Sequence, residues 1–152
     1  MKKAIFPGTF DPITLGHLDI INRASLLFDE IVIAIGINSK KETLFSLEQR
    51  LEWITEIFKD NPKITASSYN KLTIDFCRDQ NAGYILRGLR NSTDFDYESH
   101  IAQVNRKIGA DIETIFILCA PELSYISSTI VRDLITYKGN YESLVPPEVK
   151  IS

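Results

Sequence analysis

Cysteine is scarce in this sequence: two thiols in 152 residues, Cys77 and Cys119, with no C-x-x-C spacing and only two histidines beside them. That leaves neither a disulfide framework nor a set of zinc ligands, and predicts buried free thiols in a reducing compartment. Long apolar runs are missing too. No stretch approaches the roughly 20 residues that cross a bilayer, and Met1-Lys2-Lys3 leads into a run too short for a secretion signal. The expectation is a soluble, cytoplasmic chain with no membrane partner. Nor is there a surplus of positive charge. A formal net charge of −3 and an isoelectric point near 5.4 argue against a general nucleic-acid binder. No repeat, low-complexity tract or linker divides the chain. With 44% hydrophobic residues it reads as one domain over 1–152, long enough to bury a core.

What is present alternates. Short β-branched apolar runs at 4–6, 31–35, 63–67, 84–86 and 114–118 are separated by helical periodicities. Leu18, Ile21, Ala24 and Phe28 share one helical face. Leu47, Leu51, Ile54 and Phe58 share another, with Trp53 beside them and Ser46-Leu47-Glu48-Gln49 resembling a capping box. Asn61-Pro62 ends that helix. Residues 72–79 then form a helix turning Leu72, Phe76 and Cys77 inward, a long amphipathic helix spans about 93–108, and Ser127-Ser128-Thr129 opens the last one. Strands alternating with helices through short links predict a doubly wound, five-stranded parallel sheet with ligands at the carboxyl ends of its strands.

Three polar clusters fall at such ends. After the first strand comes Gly8-Thr9-Phe10-Asp11-Pro12-Ile13-Thr14-Leu15-Gly16-His17. Pro7 and Gly8 are expected to stop the strand, Thr14 to cap the helix, and His17 to sit in its first turn, where unpaired N–H groups and the helix dipole favour phosphate. Gly8 and Gly16 leave room for a ligand against the backbone. After the fourth strand, Arg87-Gly88-Leu89-Arg90 offers two guanidinium forks suited to phosphates. After the fifth, three hydroxyls at a helix start precede Arg132. Each cluster has a plainer reading: an ordinary βα loop, a surface basic pair, an N-cap. An acidic chain that handles polyphosphate must gather its cations locally, and Lys40, Lys41, Arg87, Arg90, Arg106 and Arg132 are the candidates.

The first cluster resembles the G-T-F-D-P-x-(T/H)-x-G-H signature of the nucleotidyltransferase superfamily. Arg87-Gly88-Leu89-Arg90, Asp94-Phe95-Asp96-Tyr97-Glu98 and Asn105-Arg106 resemble the middle block of the phosphopantetheine adenylyltransferases. Ile126-Ser127-Ser128-Thr129 with Arg132 is similar to the superfamily's second signature. The resemblance implies a Rossmann-like fold and direct transfer of adenylate from ATP, with Mg²⁺ on its phosphates, to 4′-phosphopantetheine, giving dephospho-coenzyme A and pyrophosphate. Nicotinate mononucleotide and glycerol-phosphate nucleotidyltransferases, which lack the middle block, and a non-catalytic nucleotide-binding module are the alternatives.

By the same resemblance Thr9, His17, Lys41 and Arg90 form the catalytic set. Thr9, Phe10, His17, Gly88, Leu89, Arg90, Glu98 and the Leu123-Ser124-Tyr125-Ile126-Ser127-Ser128-Thr129 loop bind ATP. Thr9, Lys41, Thr73 and Arg87 hold the acceptor, and no residue is assigned to a metal. A homohexamer and feedback by coenzyme A are also implied. The chain departs from the family pattern at Ser39 and Thr43, where proline is usual, and at Leu123, where tryptophan is frequent. His100 matches no motif and is expected on a solvated face.

Overall fold

The computed structural model describes residues 1–151. Five strands, β1 (Lys3–Gly8), β2 (Glu30–Gly36), β3 (Ile64–Tyr69), β4 (Tyr84–Leu89) and β5 (Glu113–Leu118), form one sheet in the order β3-β2-β1-β4-β5. Every pairing is parallel. The helices between and after them are α1 (Leu15–Ala24), α2 (Leu47–Ile57), α3 (Thr73–Asp79), α4 (Ser92–Ile108) and α5 (Ser128–Thr136). This is the doubly wound α/β architecture of the Rossmann type, with its crossover direction reversing at β1 and β4.

Alternation along the strands sends side chains to two cores. Ala4, Phe6, Ile31, Ile33, Ile35 and Leu86 face α1, α2 and the C-terminal segment. Ile5, Val32, Ala34 and Ile85 face Ile74, Phe76 and Cys77 of α3. A strand covered on both faces must be apolar throughout, which is why 31–35 is an unbroken run. Both cysteines are buried free thiols, as expected.

Several local expectations change. Pro7 and Gly8 belong to β1, in register with Ala34 and Ile35 of β2. The pairing of β1 with β4 covers only Ala4 and Ile5, and the Pro7 carbonyl accepts a hydrogen bond from the Arg87 side chain of β4. Proline is tolerated because its missing N–H faces this opened side. Likewise β4 runs on through Arg87, Gly88 and Leu89 rather than ending before them. Phe28 is buried but lies past the end of α1, and Leu72 is 62% exposed while Ile74 takes the inward position of α3. The amphipathic helix α4 is present but buries little of itself. Its one buried residue is Glu98, and Phe95, Tyr97, Ile101, Val104 and Ile108 are exposed.

Candidate active site

Where β1 and β4 part, a crevice opens at their carboxyl ends, the place a sheet of this winding offers a ligand. The loop from Thr9 to Thr14 forms its floor. Phe10 takes a left-handed backbone conformation with φ of 49° and is buried, its ring edge-on to Phe6 at 5.5 Å and to His17 at 4.9 Å. A Cβ on Gly8 would come within 2.8 Å of that ring. Gly8 therefore makes room for Phe10 within the site. In the same way Gly88 gives Ile20 of α1 its seat on β4, since a Cβ there would lie 3.0 Å from the Ile20 Cγ1.

Thr14 caps α1, and its exchange with His17 settles the state of the imidazole. The Thr14 N–H donates to His17 Nδ1 at 3.0 Å, and the Thr14 hydroxyl oxygen accepts from the His17 backbone N–H at 3.4 Å. An Nδ1 that accepts carries no proton, so the neutral ring holds its hydrogen on Nε2. Burial, with the nearby charges of Arg87 and Arg90, lowers the pKa of His17 from the usual 6.5 to about 4. At neutral pH the ring is thus an uncharged donor.

The loop is braced from three sides. Asp11, a buried carboxylate, accepts from the backbone N–H groups of Leu44 at 2.8 Å and Phe45 at 2.9 Å. Arg50 of α2 donates to the Thr9 carbonyl at 2.8 Å. From α5, Ser128 donates to the Pro12 carbonyl at 2.8 Å and Arg132 to the Asp11 carbonyl at 2.9 Å. The three hydroxyls at the start of α5 consequently separate. Ser127 accepts from a backbone N–H of the helix, that of Ile130; Ser128 ties down the loop, and Thr129 accepts from the Arg132 side chain.

Two adjoining clefts, of about 330 and 260 Å³, open over this floor and share Pro7, Gly8, Thr9, Arg87 and Glu98 as a common wall. Together they reach the size of a small-molecule site. The larger is lined by Phe10, His17, Lys41, Gly88 and Arg90, and on its α5 side by Leu123, Ile126, Ser127, Ser128 and Thr129. Four cations, Lys41, Arg87, Arg90 and Arg132, face two carboxylates there, Asp94 and Glu98. That surplus, inside a chain of net charge −3, suits a polyanion. The smaller cleft runs between Thr73 and Tyr69 on one side and Ile101, Ala102 and Asn105 of α4 on the other. Leu89, Ser124 and Tyr125, expected to bind nucleotide, line neither cleft. Leu89 ends β4 with its carbonyl accepting from Cys119, Ser124 bonds back to Pro121, and Tyr125 is exposed. Of the candidate cations, Lys40 and Arg106 are outside both walls and exposed, as is His100.

The two arginines are held by the next helix. Glu98 takes both forks of Arg87, with Nε at 2.8 Å, and Asp94 takes those of Arg90 at 2.9 and 3.1 Å. Asp94 and Glu98 are one turn apart, so a two-rung ladder fixes α4 against β4. Lys41 Nζ donates to Thr9 Oγ1 at 3.1 Å across the mouth of the larger cleft. Cys119 also lines that cleft, but burial raises the pKa of its thiol, which keeps it protonated.

The family described as cytidylyltransferase-like matches residues 5–134. A phosphopantetheine adenylyltransferase from Flavobacterium johnsoniae is 57% identical over 151 residues, 99% of each chain. The chain belongs to the phosphopantetheine adenylyltransferase family. A relative of that name from Bacteroides thetaiotaomicron is 50% identical over the full length of both chains, and one from Moorella thermoacetica is 46% identical over 99% of this chain and 94% of its own. For a member of this family, the second cleft is the part least visible in its motifs. Its α4 wall, Glu98, Ile101, Ala102 and Asn105, follows the i, i+3, i+4, i+7 spacing of one helix face, a signal that was present in the sequence. Tyr69 has no such signal. It reaches the site because its hydroxyl pairs with Thr73 at 2.9 Å and its ring stacks on Phe76.

Proposed function

We propose that this chain transfers adenylate from MgATP to the phosphate of 4′-phosphopantetheine, giving dephospho-coenzyme A and pyrophosphate. The observation that carries this reading is the pair of clefts meeting at Thr9, Arg87 and Glu98, with the neutral His17 donor on the side of the larger one. The triphosphate occupies the cation-rich cleft and the pantetheine arm the narrower one. An acceptor phosphate oxygen then forms its bond to the α-phosphorus as the bond to the bridging oxygen of pyrophosphate breaks. The acceptor is already an anion at neutral pH, so no general base and no covalent intermediate is needed. What the protein supplies is position and compensation for charge on the α-phosphate.

In this reading His17 Nε2–H donates to the α-phosphate, Arg90 and the start of α5 hold the nucleotide, and Thr9, Lys41, Thr73 and Arg87 hold the acceptor. No group of three or more His, Cys, Asp or Glu side chains able to hold a metal occurs among the described residues, and Asp94 and Glu98 are each engaged by arginine. Mg²⁺ accordingly arrives as part of the nucleotide substrate, on phosphate oxygens. We place the reaction in the cytoplasm, in keeping with the two reduced thiols. Self-association into a hexamer would cover the apolar residues of α4 that a lone chain leaves in water.

The decisive assay is pyrophosphate release. ATP with phosphopantetheine should release it, and ATP with nicotinate mononucleotide or glycerol phosphate should not. Release with either alternative, or with none of the three, sinks the assignment. The neighbouring lysines give a finer check. The expected extended loop is instead a turn, closed by the Lys41 N–H donating to the Asn38 carbonyl at 3.0 Å, and it places Lys41 in the cleft wall and Lys40 outside it. Lys41→Ala should raise the constant for phosphopantetheine by roughly tenfold or more, as expected for losing one charged hydrogen bond, with Lys40→Ala near wild type. A larger rise for Lys40→Ala would reverse the assignment.

A further inference from the structure

Arg50 is the one buried arginine among the described residues, and none of its hydrogen bonds goes to a carboxylate. Its Nη1 donates to the Thr9 carbonyl at 2.8 Å, and its Nε is shared between the carbonyls of Phe45 and Ser46 at 3.2 and 3.3 Å. Those carbonyls belong to two segments far apart in sequence. One carries Thr9; the other ends the loop that carries Lys41. Asp11 clasps the same two segments from the opposite direction, its carboxylate accepting from the Leu44 and Phe45 N–H groups. The Lys41 loop therefore hangs between an Arg50 bridge and an Asp11 bridge, both anchored in the Thr9 loop.

A guanidinium is an unfavourable filler for this place if packing alone is wanted. Burial of its charge is costly and an apolar side chain of similar length would fill the same volume. What an apolar chain cannot do is join three carbonyls of two segments in one planar fork. We propose that Arg50 is a positioning residue for the reaction: by cross-linking the Thr9 carbonyl to Phe45 and Ser46 it sets where Lys41 stands relative to Thr9, and hence how the acceptor phosphate is aligned.

The proposal rests on the assignment of Lys41 and Thr9 to the acceptor. It gains weight from Ser39 and Thr43, which give the Lys41 loop none of the stiffness of proline, so that its geometry must come from outside.

The test uses Arg50→Met, Arg50→Lys and Lys41→Ala in the full chain, with thermal unfolding recorded for each. Lysine keeps the charge and the stem but cannot bridge the two segments. Both Arg50 variants should raise the constant for phosphopantetheine, or lower turnover, by roughly tenfold or more, and move the constant for ATP by less than about threefold. With Lys41 already replaced, the further change Arg50→Met should add less than about twofold, because the group it positions is gone. Amide exchange at Leu44 and Phe45 should also accelerate in Arg50→Lys. Full rescue by lysine, multiplicative effects with Lys41→Ala, unchanged exchange at those amides, or a loss of thermal stability with unchanged kinetics would each overturn the role. If Lys41→Ala is itself silent toward phosphopantetheine, the acceptor assignment fails, and the role of Arg50 falls with it.

Discussion

Replacing His17 with alanine should lower turnover by about a hundredfold or more while the affinity for ATP changes little, because its donor is needed where charge develops rather than where substrate is bound. The geometry sharpens this into a pH experiment. Thr14 fixes His17 as the Nε2–H tautomer, and its pKa is lowered from 6.5 to about 4, first by burial and then by Arg87 and Arg90. The uncharged Nε2–H form therefore predominates from roughly pH 5 upward, and turnover should show no inflection near 6.5 belonging to this residue. A fall in turnover as pH rises through 6.5 that disappears in His17→Ala would mean that the imidazolium is the working form. The same shift acts on stability. The unfolded chain binds a proton to this residue below about 6.5 and the folded chain only near 4, so its contribution to stability is complete above 6.5 and is lost as pH falls toward 4.

The second large effect concerns Arg87 and Glu98, where binding and stability should come apart. The Glu98 side chain is 10% exposed and that of Arg87 29% exposed. Arg87→Ala would strand the carboxylate, at a cost of about 2–3 kcal/mol, somewhat below that for a fully buried pair. It should also lower kcat/KM for phosphopantetheine by roughly a hundredfold, through the loss of a forked contact to phosphate. Replacing both, as Arg87→Met with Glu98→Leu, removes the stranded charge. Thermal stability should then return close to wild type while activity does not. If activity returns along with stability, Arg87 only props α4 and does not meet the substrate. Arg90→Ala should act chiefly on ATP, since Arg90 lines the larger cleft alone.

The reach of local sequence differs from one element to the next. The run 31–35 predicts a strand covered on both faces because a fully covered strand has no place for a polar residue, and β2 is that strand. Thr14 and Ser46 are legible as caps because a cap is made within three or four residues. The pattern at α4 is equally legible as a helix. It leaves burial open, since an amphipathic face says that something covers it but not that the same chain does.

Sequence by itself therefore determined the five parallel strands, the order of the elements, the cap at Thr14 and the presence of three polar clusters near strand ends, all carried by periods and caps only a few residues long. Only the tertiary structure decided what those residues do. Pro7 and Gly8 remain in β1 because β4 diverges beyond Ile5, and Gly8 and Gly88 answer to Phe10 and Ile20. Ser128 turns from its own helix to the Pro12 carbonyl, 116 residues away in sequence, and Arg50 to the carbonyl of Thr9, 41 residues away. A hydrogen-bond partner is chosen by where the sheet brings the backbone, and no local pattern encodes that distance.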